Sequence, residues 1–296
     1  MGRGFANWVD PRSRKELNRF MNVSYTKAKA IRDSAAMIEE EPYLFGIVQE
    51  NAAAEDYLQS VNDARKLLLT ALCVRNIAAG KGGSAAAVKA KLKEYGISLI
   101  VEETPLWYQV DGGEIVQEDP RGFVGLILEA DIHAQYAQYI RRLAGRESRV
   151  TNPRARAFAA MRLKAGRLTI EAKLLDGGEA KRPATVDNMR RCCVCLSDAL
   201  FDIHLCGLAV RCDNGVETVR SENPLSCYWH IALEEVTKDP DAHSANCEAC
   251  GRPYFYRSRR TSLYCPSCRN WIGKHKGEKR PYYIDVDNMV GSRRGA

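Results

Sequence analysis

Residues 244–271 read SANCEACGRPYFYRSRRTSLYCPSCRNW and contain two Cys-x-x-Cys knuckles, Cys247/Cys250 and Cys265/Cys268, which are separated by fourteen residues. Each knuckle places two thiolates on one tight turn, so that together they offer the four soft ligands of a tetrahedral zinc site. Because all four ligands would be sulfur, no position remains for a catalytic water. The pattern therefore predicts a structural Zn²⁺ site that folds a segment too short to bury a core. A redox dithiol pair or four unconnected thiols are the alternatives.

These residues resemble the four-cysteine zinc ribbons and treble-clef fingers of bacterial and phage nucleic-acid-handling proteins, over about 30 of the 296 residues. Gly251 matches the glycine that usually follows the first knuckle of such fingers. Arg269 and Asn270 follow the second knuckle in place of glycine, which leaves the ribbon subtype open. The resemblance implies only the metal-binding role of the four cysteines, and it does not extend to the rest of the chain.

Positive charge is concentrated at the C-terminal end. From Cys247 to Ala296 there are eleven Lys and Arg residues against four acids, an excess of +7, which equals the formal net charge of the whole chain. Aromatic residues lie among these cations, and this mixture is typical of surfaces that neutralise phosphates and stack on bases. A solvated basic face whose aromatics form the finger's own core is the alternative. The predicted nucleic-acid contacts are Arg252, Arg257, Arg259, Arg260, Arg269, Lys274, Lys276, Lys279 and Arg280.

A second basic region runs from Arg141 to Arg167. Glu147 is its one acid, against nine cations: Arg141, Arg142, Arg146, Arg149, Arg154, Arg156, Arg162, Lys164 and Arg167. Asn152-Pro153 has the form of an N-cap followed by proline at the first helical position, which predicts a helix over residues 154–164. The region could bind phosphates, or it could face an acidic surface of another domain.

Length and composition are those of a globular protein of two or three domains, with 296 residues, 45% hydrophobic and 27% charged. No run of eighteen apolar residues is present, and the N-terminus lacks an apolar signal-peptide core, so we expect a cytoplasmic protein without a membrane partner. In a reducing compartment, the eleven cysteines are expected to be metal ligands and buried thiols.

The predicted fold class is α+β in three parts: a helical region at 1–83, an α+β middle domain at 84–240 and a basic zinc ribbon at 241–296. Apolar residues at helical spacing predict one long helix over 52–78, with Cys73 on its apolar face. In the middle domain we expect strands at 122–128 and 168–175, a helix at 130–143 and a hairpin over 209–220. His133 and Tyr136 are expected to be packing residues.

Ser84 is expected to cap a helix bearing Lys89, Lys91 and Lys93, and Gly96 to end it. Two β-like runs follow, ISLIVEE at 97–103 and LWYQV at 106–110, which predict a hairpin. A lysine-bearing helix followed by a hairpin is the order found at the end of a winged helix, in which the helix enters the major groove. Any α+β domain can also contain this order.

A second metal site is the further candidate. Cys192, Cys195, Cys227 and His230 have the form of a Cys₃His zinc site. Four other residues compete as ligands, namely Cys193, His204, Cys206 and Cys212. The alternative is a core that uses cysteine as a small hydrophobe.

The chain contains no nucleophile elbow, no phosphate-cradling loop, no His-Glu-x-x-His motif and no dinucleotide fingerprint, which lowers the expectation of an enzyme. The leading hypothesis is a zinc-stabilised nucleic-acid-binding protein, such as a bacterial or phage DNA-binding regulator. One alternative is a subunit of a ribonucleoprotein or CRISPR-type defence assembly, which would hold nucleic acid beside other protein subunits. The other is a nuclease in which Asp285 and Asp287 hold Mg²⁺.

Overall fold

The computed structural model describes residues 20, 44–45, 54–80, 83–103, 107–109, 115–117, 121–175, 184–213, 216–221, 223–237, 243–246, 253–256, 264 and 268–269. These residues form five helices: α1 (Ala54–Ala79), α2 (Ala85–Glu94), α3 (Ala134–Ala144), α4 (Val186–Leu205) and α5 (Pro224–Thr237). Within the described residues, no helix has both the length and the apolar character needed to cross a membrane.

The strands are β1 (Ile97–Glu103), β2 (Trp107–Gln109), β3 (Ile115–Gln117), β4 (Arg121–Asp131), β5 (Glu147–Asn152), β6 (Ala157–Lys164), β7 (Arg167–Leu174), β8 (Leu208–Asp213), β9 (Val216–Ser221), β10 (His243–Asn246) and β11 (Pro253–Tyr256). Five of them form one antiparallel sheet in the order β1-β4-β7-β6-β5. The pairs β2-β3, β8-β9 and β10-β11 are separate hairpins. The predicted mixed α and β class is therefore confirmed for the described part of the chain.

Strict alternation along β6 and β7 gives the sheet two different faces. Ala157, Ala159, Met161 and Leu163 of β6 are buried, whereas the residues between them are partly or fully exposed. The β7 residues from Leu168 to Leu174 alternate in the same way. Successive strand side chains point to opposite faces, so one face of the sheet enters the core and the other faces outward. The turn between these strands is Ala165-Gly166, and both residues have positive φ, as a two-residue hairpin turn of type I′ requires.

Helix α4 covers the buried face of the sheet. It packs on β4, β5, β6 and β7, and α1 and α5 pack on α4 in turn. The hydroxyl of Thr185 accepts a hydrogen bond from the Asn188 amide at 3.2 Å and so caps the first turn of α4. Residues of α1, which belongs to the predicted helical region, share one hydrophobic cluster with α4 and the sheet.

The predicted helix over residues 154–164 is wrong, because β6 occupies residues 157–164. The local cap does form, since the Asn152 side-chain oxygen accepts a hydrogen bond from the Ala155 amide at 2.9 Å. Such a turn satisfies one amide without committing the following residues to a helix. The alternating pattern after it decides in favour of a strand.

The hairpin predicted between the runs at 97–103 and 106–110 is also not formed. The first run is β1, which pairs with β4 from Ile97 opposite Leu128 to Glu103 opposite Arg121. The second run contains β2, which pairs with β3 instead. The preceding helix α2 is as predicted, with its Ser84 cap and with three exposed lysines. Helix and hairpin therefore do not form the consecutive unit on which the winged-helix interpretation depends.

Gly125 on β4 is required by the close approach of β7. A Cβ atom at this position would lie 2.3 Å from the backbone oxygen of Ala172, a distance that forces the strands apart. We expect Gly125→Ala to lower the free energy of unfolding by about 2 kcal/mol, as overpacking does elsewhere. Gly80→Ala is the matched control, because its nearest contacts would be ordinary at 3.4 Å, and a change within about 0.5 kcal/mol is expected. Urea unfolding measures both. Equal stability of the two variants would contradict the close approach of the strands.

Candidate nucleic-acid interface

The outward face of β5, β6 and β7 carries four of the nine cations of the second basic region. Register places the outward side chains in rows across the three strands. One row joins Thr151, Phe158 and Lys173, and the next joins Arg149, Ala160 and Glu171. The remaining outward positions are Glu147, Arg162 and Thr169, followed by Lys164 and Arg167. Five cations therefore share this surface with two carboxylates, and we call these eleven residues the basic sheet face.

All nine cations from Arg141 to Arg167 are exposed. Four of them lie on the basic sheet face, and the others occupy the chain segments at its two ends. Arg141 and Arg142 lie in the last turn of α3, and Arg146 directly precedes β5. Arg154 and Arg156 lie in the connection between β5 and β6. At about 3.3 Å per strand residue, the cations from Arg156 to Lys164 extend over roughly 26 Å.

Some of these charges have protein partners. Arg167 forms an ion pair with Glu129 at 3.0 Å, and Lys173 forms one with Glu171 at 2.9 Å. Arg142 donates to the Asn223 side-chain oxygen at 2.9 Å and to the backbone oxygen of Phe45. Within the described part of the chain, Arg162 and Lys164 have no carboxylate at ion-pair distance. Their charge is therefore available to an anionic ligand.

Arg149 on the edge strand β5 and Phe158 on the neighbouring strand β6 are in contact near one end of the surface. The Arg149 guanidinium carbon lies 4.2 Å from the centroid of the Phe158 ring, which is a cation–π contact. Arg149 is exposed and Phe158 is partly exposed, so the pair presents flat groups to solvent. Ala160, directly opposite Arg149, leaves a shallow floor beside the pair.

The connection between β5 and β6 is held firmly at one end of this surface. Arg191 of α4 donates to the backbone oxygens of Ala155 at 2.7 Å and of Arg156 at 3.1 Å. Arg156 has φ of 49°, in the left-handed region that few residues other than glycine adopt. Its backbone oxygen also accepts a hydrogen bond from the Leu175 amide at 2.8 Å. Arg154 and Arg156 thus extend from a backbone with fixed geometry.

Little of the predicted C-terminal surface falls within the described residues. Cys268 is fully buried and Arg269 is exposed, with its guanidinium 3.5 Å from the backbone oxygen of Tyr264. The other predicted contacts and the Asp285/Asp287 pair lie outside the described residues, as do Cys247, Cys250 and Cys265. The hairpin β10-β11 pairs Asn246 with Pro253. The segment that joins these two strands, residues 247–252, contains both cysteines of the first knuckle.

The four residues of the predicted second metal site are all described. Cys192 and Cys195 lie on α4, and Cys227 and His230 lie on α5. The Cys195 thiol contacts the backbone oxygen of Val150 at 3.7 Å, and His230 lies 3.8 Å from the Glu234 carboxylate. Among the residues that the structure describes, no three His, Cys, Asp or Glu side chains come together in a way that could hold a metal ion.

Burial keeps these thiols protonated. It raises the pKa of Cys192 to about 12 and that of Cys195 to about 11, because a thiolate is poorly solvated in the core. Cys73, Cys192, Cys193 and Cys195 belong to the hydrophobic cluster. In the described core, cysteine is therefore used as a small hydrophobe.

His133 and Tyr136 have separate partners. Tyr136 is fully buried and its hydroxyl lies 2.6 Å from Nε2 of His204. His133 is exposed, and its amide and Nδ1 each lie 2.8 Å from the same Asp63 oxygen. The prediction that Tyr136 is a packing residue is confirmed, and His133 joins the start of α3 to α1.

Phe158 is a residue of this surface that the sequence analysis did not assign to it, because a helix was predicted over residues 154–164. The informative pattern was the alternation itself. Alanine, methionine and leucine occupy the odd positions from 157 to 163, while Phe158, Arg162 and Lys164 occupy even ones. Period two of this kind places the phenylalanine and the cations together on one face.

Comparisons with models of protein families, with curated proteins and with solved structures found no match to this chain.

Proposed function

We propose that this protein binds nucleic acid and that the basic sheet face is one of its contact surfaces. The observation that carries the proposal is the exposure of all nine cations between Arg141 and Arg167, with Glu147 the only acid among them. Lysine and arginine that replace condensed counterions on phosphates supply most of the affinity for a nucleic acid. Cations presented on the strands of a folded sheet can neutralise phosphates without reordering the chain.

Contact with an acidic surface of another domain is the competing explanation for these charges. Among the described residues, the carboxylates that form ion pairs with cations of the basic sheet face are Glu129 of β4 and Glu171 of β7, and each engages one cation. Arg162 and Lys164 stay exposed beside them. This arrangement supports an external polyanion as the partner.

We propose that the C-terminal segment is a second contact, folded by one Zn²⁺ on Cys247, Cys250, Cys265 and Cys268. The pairing of β10 with β11 supports this proposal, because these strands flank the stretch of sequence that contains the first knuckle. Burial of Cys268 agrees with a role inside a small folded unit. A bound zinc would supply only structure there, since four sulfur ligands complete its tetrahedron.

The charge hypothesis is tested by replacing Arg162 and Lys164 together with Ala. We expect weaker binding to oligonucleotides and a salt dependence whose logarithmic slope is smaller in magnitude by about 1.4 to 1.8, since each phosphate contact contributes about 0.7 to 0.9. Fluorescence anisotropy at several salt concentrations measures this slope.

Lys89 and Lys91 provide the matched control, because they are exposed on α2, which packs on the edge strand β1 and on α4. Replacing both with Ala lowers the net charge of the chain by the same amount. An effect of net charge alone would therefore weaken binding equally in the two variants. An equal loss of affinity in the two variants would indicate a general electrostatic effect. An unchanged slope in the Arg162/Lys164 variant would exclude the basic sheet face as the contact surface.

A further inference from the structure

We infer that the basic sheet face binds single-stranded nucleic acid, with one unstacked base lying on the Arg149–Phe158 pair. This inference rests on the proposed function and specifies its ligand. The observation that carries it is the guanidinium placed 4.2 Å from the ring centroid, on a sheet face on which cations are the commonest charge.

The pair has the chemistry of a stacking platform. A nucleic-acid base stacks on an aromatic ring or on the plane of an arginine guanidinium, and Phe158 and Arg149 offer both on neighbouring strands. Because the ring packs against the guanidinium, the arginine is held near the sheet and loses less side-chain entropy when a base covers it.

The surroundings of the pair leave room for a base. Across β6, Phe158 faces Thr151 on one side and Lys173 on the other. The next outward residue on β6 is Ala160, which has only a methyl group. Gly125 on β4 continues the row beyond Lys173 without any side chain. A planar base can therefore rest beside the ring without displacing a large neighbour.

The cations lie where a backbone leaving this base would pass. Arg162 and Lys164 follow Phe158 on the same face of β6, at roughly 13 and 20 Å along the strand. Each is exposed. One stacked base followed by two phosphate contacts is the arrangement by which proteins hold single strands without reading their sequence.

A duplex does not fit the same surface. Its bases are stacked inside the helix, so that the flat faces needed by Phe158 and Arg149 are covered. No described helix lies on this face to enter a groove, because α4 is the described helix that packs on β5, β6 and β7 and it covers the buried side. Binding of a duplex would use the cations alone.

The test uses the full-length protein and a ten-nucleotide single strand that carries 2-aminopurine, whose fluorescence reports stacking, together with its duplex form. Phe158→Leu keeps an apolar side chain but removes the flat ring. We expect affinity for the single strand to fall about 5- to 150-fold, the range for loss of one stacked base, while duplex affinity is unchanged. The change in 2-aminopurine fluorescence on binding should disappear as well. Phe158→Tyr restores the ring and should restore both signals.

The possible failures can be told apart. If Phe158→Leu binds the single strand as tightly as the unaltered protein, while Arg162/Lys164→Ala still weakens binding, the face binds phosphates and the stacking inference is wrong. Preference of the unaltered protein for the duplex leads to the same conclusion. If neither form of nucleic acid binds, the proposed function falls together with the inference. Circular dichroism and urea unfolding of each variant establish that the sheet is intact.

Discussion

Between pH 6.5 and pH 4.5, the free energy of unfolding is expected to fall by about 2 kcal/mol through the titration of His204 alone. His204 is fully buried on α4. Its Nδ1 lies 2.6 Å from the backbone oxygen of Leu200, and its Nε2 lies 2.6 Å from the Tyr136 hydroxyl. The imidazole therefore donates through Nδ1 and accepts from Tyr136, which is the neutral tautomer.

The surroundings of His204 disfavour its charged form. Its ring is stacked on Trp229 with 3.7 Å between the centroids and 8° between the planes. Desolvation by this burial lowers the pKa of His204 to about 3, although its hydrogen bond to Leu200 acts in the opposite direction. Burial also raises the pKa of Tyr136, so that the phenol remains a donor across this range.

The sign of the effect follows from which state binds the proton first. In the unfolded chain, histidine titrates near pH 6.5, whereas the folded protein takes up this proton only near pH 3. Between these values the unfolded state binds more protons, so stability falls as the pH is lowered. The full contribution of a neutral His204 is present above pH 6.5.

A pair of variants separates titration from packing. His204→Gln removes the titrating group and is expected to lower the free energy of unfolding at pH 7 by about 2 to 4 kcal/mol. Between pH 6.5 and pH 4.5, however, the free energy of unfolding of this variant should fall by about 2 kcal/mol less than that of the unaltered protein. Tyr136→Phe breaks the same hydrogen bond yet keeps the histidine, so its acid sensitivity should persist. Urea unfolding at several pH values gives these differences. Parallel pH curves for His204→Gln and the unaltered protein would show that the imidazole is not held neutral.

How far the sequence predicts this fold depends on whether local patterns agree with each other. The helix over 52–78 is confirmed as α1, which spans Ala54–Ala79, because its apolar residues recur at one period without interruption. The hairpin over 209–220 is confirmed as β8 and β9, whose strands end and begin at Asp213 and Val216. In both cases periodicity and terminal residues favour the same structure.

A local pattern that was compatible with more than one structure was a poor guide to the fold. Asn152-Pro153 forms the turn that a helix cap would form, yet the alternation that follows builds β6. The cysteines of Arg191-Cys192-Cys193-Val194-Cys195 have the spacing of a zinc knuckle, but on α4 that spacing places Cys192 and Cys195 one helical turn apart in the core. Pairing of β1 with β4 across seventeen intervening residues is set by the sheet as a whole, and no local turn predicts it.

The candidate site was also predictable from the sequence only in part. The excess of cations between Arg141 and Arg167 is evident from the sequence, and the structure places four of these cations on the basic sheet face. Contact between Arg149 and Phe158 joins two strands in a diagonal position, so it depends on the register of β5 with β6. Register is decided by which face is buried against α4, which no single strand specifies by itself.

Replacing Cys265 with Ser is expected to reduce bound zinc from one ion per chain to almost none and to unfold the C-terminal segment alone. Structural zinc contributes about 10 to 16 kcal/mol of apparent binding free energy in small fingers, so loss of one thiolate removes most of what folds such a unit. The strands β10 and β11 have four residues each, and a two-stranded hairpin of this length is marginal in water by itself. We therefore expect the metal to stabilise it, together with its contacts to α1.

Metal analysis and amide hydrogen exchange measure the two parts of this prediction. Amides of β10 and β11 should lose protection in Cys265→Ser, whereas those of β6 and β7 should keep it, because the core under the sheet uses other residues. Cys206→Ser is the matched control, since Cys206 is an exposed cysteine outside the knuckles and donates to the backbone oxygen of Asp202.

The stoichiometry decides between the two proposed groups of ligands. One zinc per chain, lost in Cys265→Ser and kept in Cys206→Ser, is the result expected if the knuckles bind the metal. Two ions per chain, one of which is lost in Cys227→Ser, would instead indicate a second site on Cys192, Cys195, Cys227 and His230. These residues could bind a metal only if the packing between α4 and α5 opened, because Cys227 is 2% exposed. Zinc that persists in Cys265→Ser would contradict the four-cysteine site, because three thiolates and a serine hydroxyl bind the ion far more weakly. In that case the C-terminal charge would have to be presented by a segment folded without metal.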